Sequence, residues 1–180
     1  MSKVLVLSTS LRAKSNSEFL AGRLAEGARE AGHQVEQISL KGKNIGFCTG
    51  CLACQKTQRC VLRDDARDIA DKVREADTLV FATPIYYYEM SGQMKTLLDR
   101  MNPLYSSDYR FRKVYILSTA TEDESYVSEK AVSGLQGWVD CFEHAELADT
   151  LFLGGIGNAG EAAGMEEKLQ KAYEFGKQIQ

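Results

Sequence analysis

Residues 4–17 read VLVLSTSLRAKSNS, and this stretch indicates the fold of the chain. Its first four residues are a continuous apolar run that ends in a polar turn, which is typical of a strand buried on both faces. From Asn16 onward the apolar residues recur with helical spacing until Gly32, a residue type that commonly ends a helix. A strand, a polar turn and a helix in this order make the first unit of an α/β fold.

Four further strand-and-helix units follow along the chain. The predicted strands cover residues 35–40, 78–82, 113–118 and 150–153, and the predicted helices cover residues 64–76, 91–101, 128–144 and 165–179. Such alternation requires a parallel sheet with right-handed crossovers. We therefore expect one doubly wound α/β domain over residues 1–180, with five parallel strands and helices on both faces. Ligands bind such sheets outside the carboxyl ends of the strands, so the loops after strands one, three and four are the expected site.

Composition and charge limit what the chain can do. The 180 residues are 44% hydrophobic and 26% charged, which suits one globular domain of ordinary size. The net charge is -3 and the basic residues are scattered, so no nucleic-acid partner is expected. No apolar run approaches the length of a bilayer crossing and no signal segment is evident, so we expect a cytoplasmic protein without a membrane partner.

The polar loop after the first strand suits a phosphate group. It combines hydroxyls, an amide and a guanidinium at the start of a helix, where free N–H groups and the helix dipole favour an anion. The alternative is that Ser15 or Asn16 only caps the helix. The loop has neither the Gly-Lys-Ser/Thr of a P-loop nor the G-x-G-x-x-G turn, so ATP and a classical Rossmann NAD site are not expected.

Three consecutive tyrosines follow the third strand, in the predicted loop of residues 83–90. Tyr86, Tyr87 and Tyr88 cannot all point into one core, so at least one ring is expected at the surface or in a cleft. A flat ligand can pack on a wall of this kind. The alternative is that the three rings only cover the core.

Both loops resemble the NADPH-dependent FMN reductase branch of the flavodoxin-like superfamily. In the first loop the resemblance rests on residues 9–12 (TSLR) and 15–17 (SNS), with Thr9 and Leu11 in place of the usual glycine and proline. In the second, residues 83–95 are similar to the family segment that begins with Thr or Ser, Pro, any residue and Tyr. The resemblance implies a flavodoxin-like sandwich with the strand order 2-1-3-4-5.

The resemblance also implies where FMN binds. It assigns the flavin phosphate to Ser10, Arg12, Ser15, Asn16 and Ser17. It assigns the ring and the ribityl chain to Pro84, Ile85, Tyr86, Tyr87, Met90 and Ser91. It places a third flavin-edge loop at residues 118–121, with Thr119 as the contact, and the alternative for this loop is a simple exit from the strand. NAD(P)H is the implied electron donor, and no residue is given a catalytic role.

Four of the five cysteines lie within thirteen residues, at Cys48, Cys51, Cys54 and Cys60. Thiolates at this close spacing suit an iron-sulfur cluster or a structural zinc ion, and reduced or disulfide-prone thiols are the third alternative. The array resembles the compact cysteine motif of iron-sulfur flavoproteins, which are FMN proteins of this fold with a [4Fe-4S] cluster. That resemblance implies a cluster held by these four side chains.

The functional prediction is an FMN-binding oxidoreductase that passes electrons from NAD(P)H or a reduced partner to a small acceptor such as a quinone, or to a protein. The alternative is a non-enzymatic electron-transfer protein with FMN and [4Fe-4S] that serves protein partners. A third hypothesis is a ligand-binding module in which the cysteines hold a structural zinc ion. The resemblance alone implies assembly as a homodimer or homotetramer.

Overall fold

Six strands form one sheet in the computed structural model, which describes residues 1–180. They are β1 (Lys3–Ser8), β2 (Gln34–Ser39), β3 (Thr78–Tyr86), β4 (Glu89–Met90), β5 (Lys113–Thr119) and β6 (Glu146–Leu153). The five longer strands are parallel and lie in the order β2-β1-β3-β5-β6, whereas β4 pairs antiparallel with β3. Strands β5 and β6 are the fourth and fifth strands of the prediction, so the predicted α/β sheet of five parallel strands in the order 2-1-3-4-5 is confirmed. The short strand β4 is an addition to it.

Six α-helices accompany the sheet. They are α1 (Asn16–Glu30), α2 (Cys54–Thr57), α3 (Asp65–Glu75), α4 (Gly92–Arg100), α5 (Glu129–Val139) and α6 (Glu166–Lys177). Helices α1 and α6 cover one face of the sheet and α3, α4 and α5 cover the other, each group with its own apolar core. Short 3₁₀ helices lie at Asn102–Leu104, Ser125–Ser128 and Glu161–Gly164. None of the helices has an apolar stretch of the length that a bilayer crossing needs.

Side chains alternate between the two cores along the central strands. In β1, Leu5 and Leu7 pack in one core while Val4 and Val6 pack in the other. Because both faces of the parallel sheet are covered, its central strands read as continuous apolar runs. This is why apolar runs alone locate β1, β3 and β5 in the sequence.

Helices α1 and α6 touch through their backbones. A Cβ atom added at Gly27 would lie 2.0 Å from the carbonyl oxygen of Tyr173, and one added at Gly176 would lie 1.9 Å from that of Leu24. Both distances are too short for any side chain, so only glycine permits this packing. The contact fixes α1, whose first turn follows the polar loop of residues 9–15.

Two strand boundaries differ from the prediction. Strand β3 runs four residues further than expected, so that residues 83–86 are strand and not loop, because β4 pairs with this end of β3. Strand β6 begins at Glu146 rather than at Thr150. Its first half is mostly exposed at the edge of the sheet and therefore carries no apolar run.

Two helix predictions also change. Helix α5 stops at Val139 instead of His144, because the chain turns there and buries Phe142, which is 4% exposed, against Trp138. The region of residues 46–60, predicted to be a loop, contains the one-turn helix α2. A helix of this length is too short to produce a helical period in the sequence.

Candidate functional site

A cleft opens at the carboxyl ends of β1, β3, β5 and β6, where a parallel sheet is expected to bind its ligand. Its lining consists of Ser10, Arg12, Ser15, Asn16, Ser17, Pro84, Ile85, Tyr86, Thr119, Ala120, Thr121, Ile156 and Gly157. The structure thus brings together nine of the twelve residues predicted to contact FMN, all but Tyr87, Met90 and Ser91. The volume of about 60 Å³ suits a phosphate group, so a flavin bound there extends beyond the cleft.

The side of the cleft next to α1 favours an anion. Ser15 caps α1, since its Oγ accepts a hydrogen bond from the N–H of Glu18 at 3.2 Å, and this Oγ also lies 3.2 Å from the Oγ of Ser17. Other N–H groups of the first turn have no acceptor within the helix, and the helix dipole adds positive potential. Capping and phosphate binding are compatible functions of Ser15, because the capped helix end is itself part of the cleft.

The side chains of Arg12 and Asn16 differ in how many of their polar atoms already have a hydrogen-bond partner within the chain. The Nδ2 of Asn16 donates to the carbonyl of Asn158 at 2.8 Å, and its Oδ1 accepts from the N–H of Ala162 at 3.2 Å. Arg12 is exposed, and one of its N–H groups donates to the carbonyl of Gly157 at 2.9 Å. Arg12 therefore keeps most of its donors for an anion, whereas Asn16 ties the first loop to the segment between β6 and α6.

The loop between β6 and α6 forms a wall of the cleft that the sequence patterns do not predict. It contributes Ile156 and Gly157, and the N–H groups of Gly157 and Asn158 donate to a carboxylate oxygen of Glu161 at 2.9 and 2.8 Å. Ala120 and Thr121 also line the cleft, and they belong to the loop of residues 118–121 that the resemblance places at the flavin edge. Four glycines between residues 154 and 160 are the available signal, since glycine-rich loops often approach a ligand closely.

A buried hydroxyl network joins the loop after β1 to β3 and to the start of α4. The Oγ1 of Thr9 donates to the carbonyl of Ala82 at 3.1 Å and lies 3.0 Å from the Oγ of Ser91. Ser91 is fully buried and caps α4 by accepting from the N–H of Met94 at 3.2 Å. Met90 is 5% exposed and packs in the core. Ser91 and Met90 therefore lie outside the cleft, where they support its wall.

The tip of the β3–β4 hairpin holds two tyrosines in the left-handed conformation. Tyr87 has a φ of 52° and Tyr88 a φ of 66°, and they lie between the paired residues Tyr86 and Glu89. Two-residue hairpin turns of this kind favour asparagine and glycine, because another L-residue with positive φ costs about 1–2 kcal/mol. Tyr88 stacks on Tyr126 with the ring centroids 6.2 Å apart, whereas Tyr87 is 99% exposed. A strained turn thus presents a free aromatic ring beside Tyr86, which lines the cleft.

A second site surrounds the cysteine loop, residues 46–64. The four clustered cysteines line one cavity of about 20 Å³ together with the end of α4 and the 3₁₀ helix that follows it. All are free thiols: Cys54 is buried, Cys60 is half-buried, and Cys48 and Cys51 are exposed. No three cysteine, histidine or acidic side chains converge into a preformed metal-ligand set. The four thiols therefore have the composition of a tetrathiolate site, but they do not point at one centre.

A buried ion pair lies beside the cysteine loop. Arg100 is 1% exposed and donates two hydrogen bonds to the carboxylate of Asp64, at 2.6 and 2.8 Å. Burial opposes ionisation of Asp64, but hydrogen bonds from Arg100 and from the N–H of Gly46, with the charge of Arg100, hold the pKa of Asp64 below its ordinary value. The hydrogen bond to Asp64 in turn raises the pKa of Arg100. Removing one partner of such a pair costs about 3–5 kcal/mol.

An apolar cavity of about 310 Å³ lies between the cleft and the cysteine loop. Its lining includes Leu11 from the first loop of the cleft, Phe47 from the cysteine loop and Gly92 from the start of α4. Phe47 is 80% exposed and directly precedes Cys48. The two sites therefore adjoin through a shared hydrophobic region.

Known proteins resemble this chain in sequence and in fold. A family model described as NADPH-dependent FMN reductase matches residues 2–138. An iron-sulfur flavoprotein from Archaeoglobus fulgidus is 36% identical over 103 residues, which are 57% of this chain and 46% of that protein. Another iron-sulfur flavoprotein, from Methanosarcina thermophila, is 27% identical over 155 residues, which are 86% of this chain and 81% of that protein. The chain thus spans about half the length of the first relative and most of the second.

A solved structure shares the fold over the whole chain. It is the NAD(P)H:quinone oxidoreductase from Methanothermobacter marburgensis, with a TM-score of 0.73, 19% identity and coverage of 99% of both chains. At this identity the likeness shows the fold alone. It agrees with the predicted flavodoxin-like sandwich.

We expect Tyr87→Asn to stabilise the protein by about 1 kcal/mol, because asparagine adopts a positive φ at lower cost than tyrosine. The ring is 99% exposed, so its removal sacrifices no packing. Urea unfolding followed by circular dichroism measures the change. Tyr105→Asn is the matched control, since Tyr105 is 60% exposed but has a φ of -56°. A destabilised Tyr87→Asn protein would contradict the strained turn, and weaker FMN binding by this variant would separately support the predicted flavin contact.

Proposed function

The chain belongs to the NADPH-dependent FMN reductase family, and from this premise we propose that it is a flavin-dependent oxidoreductase that takes electrons from NAD(P)H. The proposed acceptor is a small molecule such as a quinone. We further propose that the protein acts as a homodimer or homotetramer, which rests on the family resemblance alone.

One observation carries this proposal: the cleft gathers groups that suit a phosphate at the carboxyl edge of the sheet, and the end of β3 beside it carries apolar and aromatic side chains. The hydroxyls of Ser10 and Ser17 and the guanidinium of Arg12 suit a phosphate monoester. Residues 84–86 add an apolar and aromatic surface that suits a planar ring, and Thr119 lines the cleft from the next strand. These groups match the two ends of FMN.

The chain itself positions FMN and sets the electrostatic potential around its phosphate. FMN supplies the hydride and electron chemistry, so the protein needs no acid-base triad. Arg12 and the N-terminus of α1 offset the negative charge of the phosphate. The contact of α1 with α6 and the bonds of Asn16 to the neighbouring loop keep that helix end in place.

We expect Arg12→Ala to weaken FMN binding by about tenfold to a hundredfold, because it removes charge-assisted hydrogen bonds worth about 1.5–3 kcal/mol. Riboflavin lacks the phosphate and should bind with unchanged affinity. Flavin fluorescence quenching measures both dissociation constants. Lys14→Ala is the matched control, because it removes a positive charge from the same loop outside the cleft lining. An equal loss of both ligands would mean that Arg12 does not bind the phosphate.

We expect NADPH or NADH alone to bleach the bound flavin at least as fast as the protein turns over with a quinone, since a step on the catalytic path cannot be slower than turnover. Anaerobic stopped-flow absorbance of the FMN-loaded protein measures this rate. Bleaching by a reduced redox protein but by neither nucleotide would contradict the reductase and favour the alternative, a non-enzymatic electron carrier.

We also propose that Cys48, Cys51, Cys54 and Cys60 hold a [4Fe-4S] cluster. The support is the set of four free thiols within residues 48–60, which has the composition of a tetrathiolate site, and the name iron-sulfur flavoprotein that two relatives carry. The same thiols suit zinc, or function as reduced or disulfide-prone thiols, so metal content is the deciding observation.

We expect protein prepared without oxygen to contain about four iron and four acid-labile sulfide per chain. Chemical analysis of iron, sulfide and zinc measures this content. Cys54→Ser should remove most of the iron, whereas Cys141→Ser, which changes a free exposed cysteine outside the array, should not. Stoichiometric zinc, or protein without metal in every preparation, would contradict the cluster.

A further inference from the structure

One buried side chain holds both ends of the cysteine loop. The Nη1 of Arg100 donates to the carbonyl of Gly46 at 2.7 Å and to the carboxylate of Asp64 at 2.6 Å, and these two residues bound the loop. Asp64 also accepts from the N–H of Gly46 at 2.9 Å. The loop is therefore closed at its base by three mutually bonded residues.

Two nitrogen donors reach sulfur atoms inside the loop. The Nη2 of Arg100 donates to the Sγ of Cys60 at 3.4 Å, and the Nδ2 of Asn102 donates to the Sγ of Cys54 at 3.2 Å. The two acceptors are the least exposed cysteines of the array. Arg100 also lines the cysteine cavity, and its Nε is buried without a hydrogen-bond partner. The cavity wall thus holds more donors than the polypeptide itself satisfies.

We propose that Arg100 and Asn102 are positioning residues for an anionic four-thiolate centre, and that their N–H groups, directed at the sulfurs of Cys60 and Cys54, raise its reduction potential. The inference rests on the proposed [4Fe-4S] cluster. Reduction adds one electron and makes the centre more negative. Hydrogen bonds to its sulfur ligands and a nearby positive charge favour that reduced form.

A purely structural function explains only part of these contacts. The bonds of Arg100 to the two ends of the loop are sufficient to close it. Asn102 forms no hydrogen bond with either end, yet its amide donates to Cys54. Ser106 gives the contrast, because it braces the same loop by donating to the carbonyl of Gln55 at 3.2 Å without contacting sulfur.

The potential of the cluster in the FMN-loaded protein tests the donor function, by redox titration followed with electron paramagnetic resonance. Asn102→Leu keeps the approximate shape and removes the donors, and Arg100→Lys keeps the charge and loses the forked geometry. At a given applied potential, each substitution should raise the ratio of oxidised to reduced cluster by about tenfold. This corresponds to a reduction potential lower by about 59 mV for one electron. Ser106→Ala is the matched control and should leave the potential unchanged.

Trypsin digestion of the chelator-treated full chain tests the anchoring function without a cluster. The loop contains the cleavage sites Lys56, Arg59 and Arg63. Arg100→Lys should speed cleavage within the loop by about tenfold, because the loop opens more often when its base is loosened. Arg110→Lys is the control, since Arg110 forms its ion pair outside the loop.

The results separate this inference from the proposed function. A wild-type protein that takes up no iron and sulfide refutes the proposed cluster, and the digestion still decides whether Arg100 anchors the loop. A loaded Asn102→Leu protein with the wild-type potential refutes the donor function, even where Arg100→Lys fails to fold. Unchanged loop cleavage in a folded Arg100→Lys protein refutes the anchoring function.

Discussion

Burial of both faces of the parallel sheet is the constraint on which the rest of the structure depends. Parallel neighbours need a crossover between them, which leaves the sheet at the carboxyl end of one strand and returns to the amino end of the next. Every polar loop that follows a parallel strand therefore lies on one side of the molecule. The cleft forms there because Ser10, Tyr86 and Thr119 lie at or just beyond the ends of three adjacent strands, β1, β3 and β5.

Buried polar pairs hold the loops that the apolar cores do not reach. Thr9 and Ser91 connect the two main walls of the cleft, and Arg100 with Asp64 closes the cysteine loop. A buried polar group without its partner is costly, so each pair disfavours other arrangements of its loop. Both sites thus depend on a few directional bonds in addition to the apolar burial that forms the sheet.

The sequence predicts the central sheet and most of the cleft because both leave local signals, the apolar runs and the phosphate-loop and Thr-Pro-x-Tyr motifs. The wall at residues 156–157 leaves only a glycine-rich segment as its signal, and the sequence alone does not show where this distant loop folds back. Met90 and Ser91 lie in a motif but support the wall from behind, and sequence alone does not separate contact from support. The turn at Tyr87 is hidden because tyrosine ordinarily avoids positive φ.

The left-handed turn at Tyr87 and Tyr88 fixes the backbone that carries the uncovered ring of Tyr87. An exposed residue ordinarily loses backbone and rotamer freedom when another molecule packs on it. Here paired strands on both sides of a two-residue turn already restrict the backbone, and a tyrosine ring has only two side-chain torsions. Folding therefore already pays the backbone entropy, at the cost of strain, before any contact forms. A molecule that packs on Tyr87 has only the two side-chain torsions of the ring left to order.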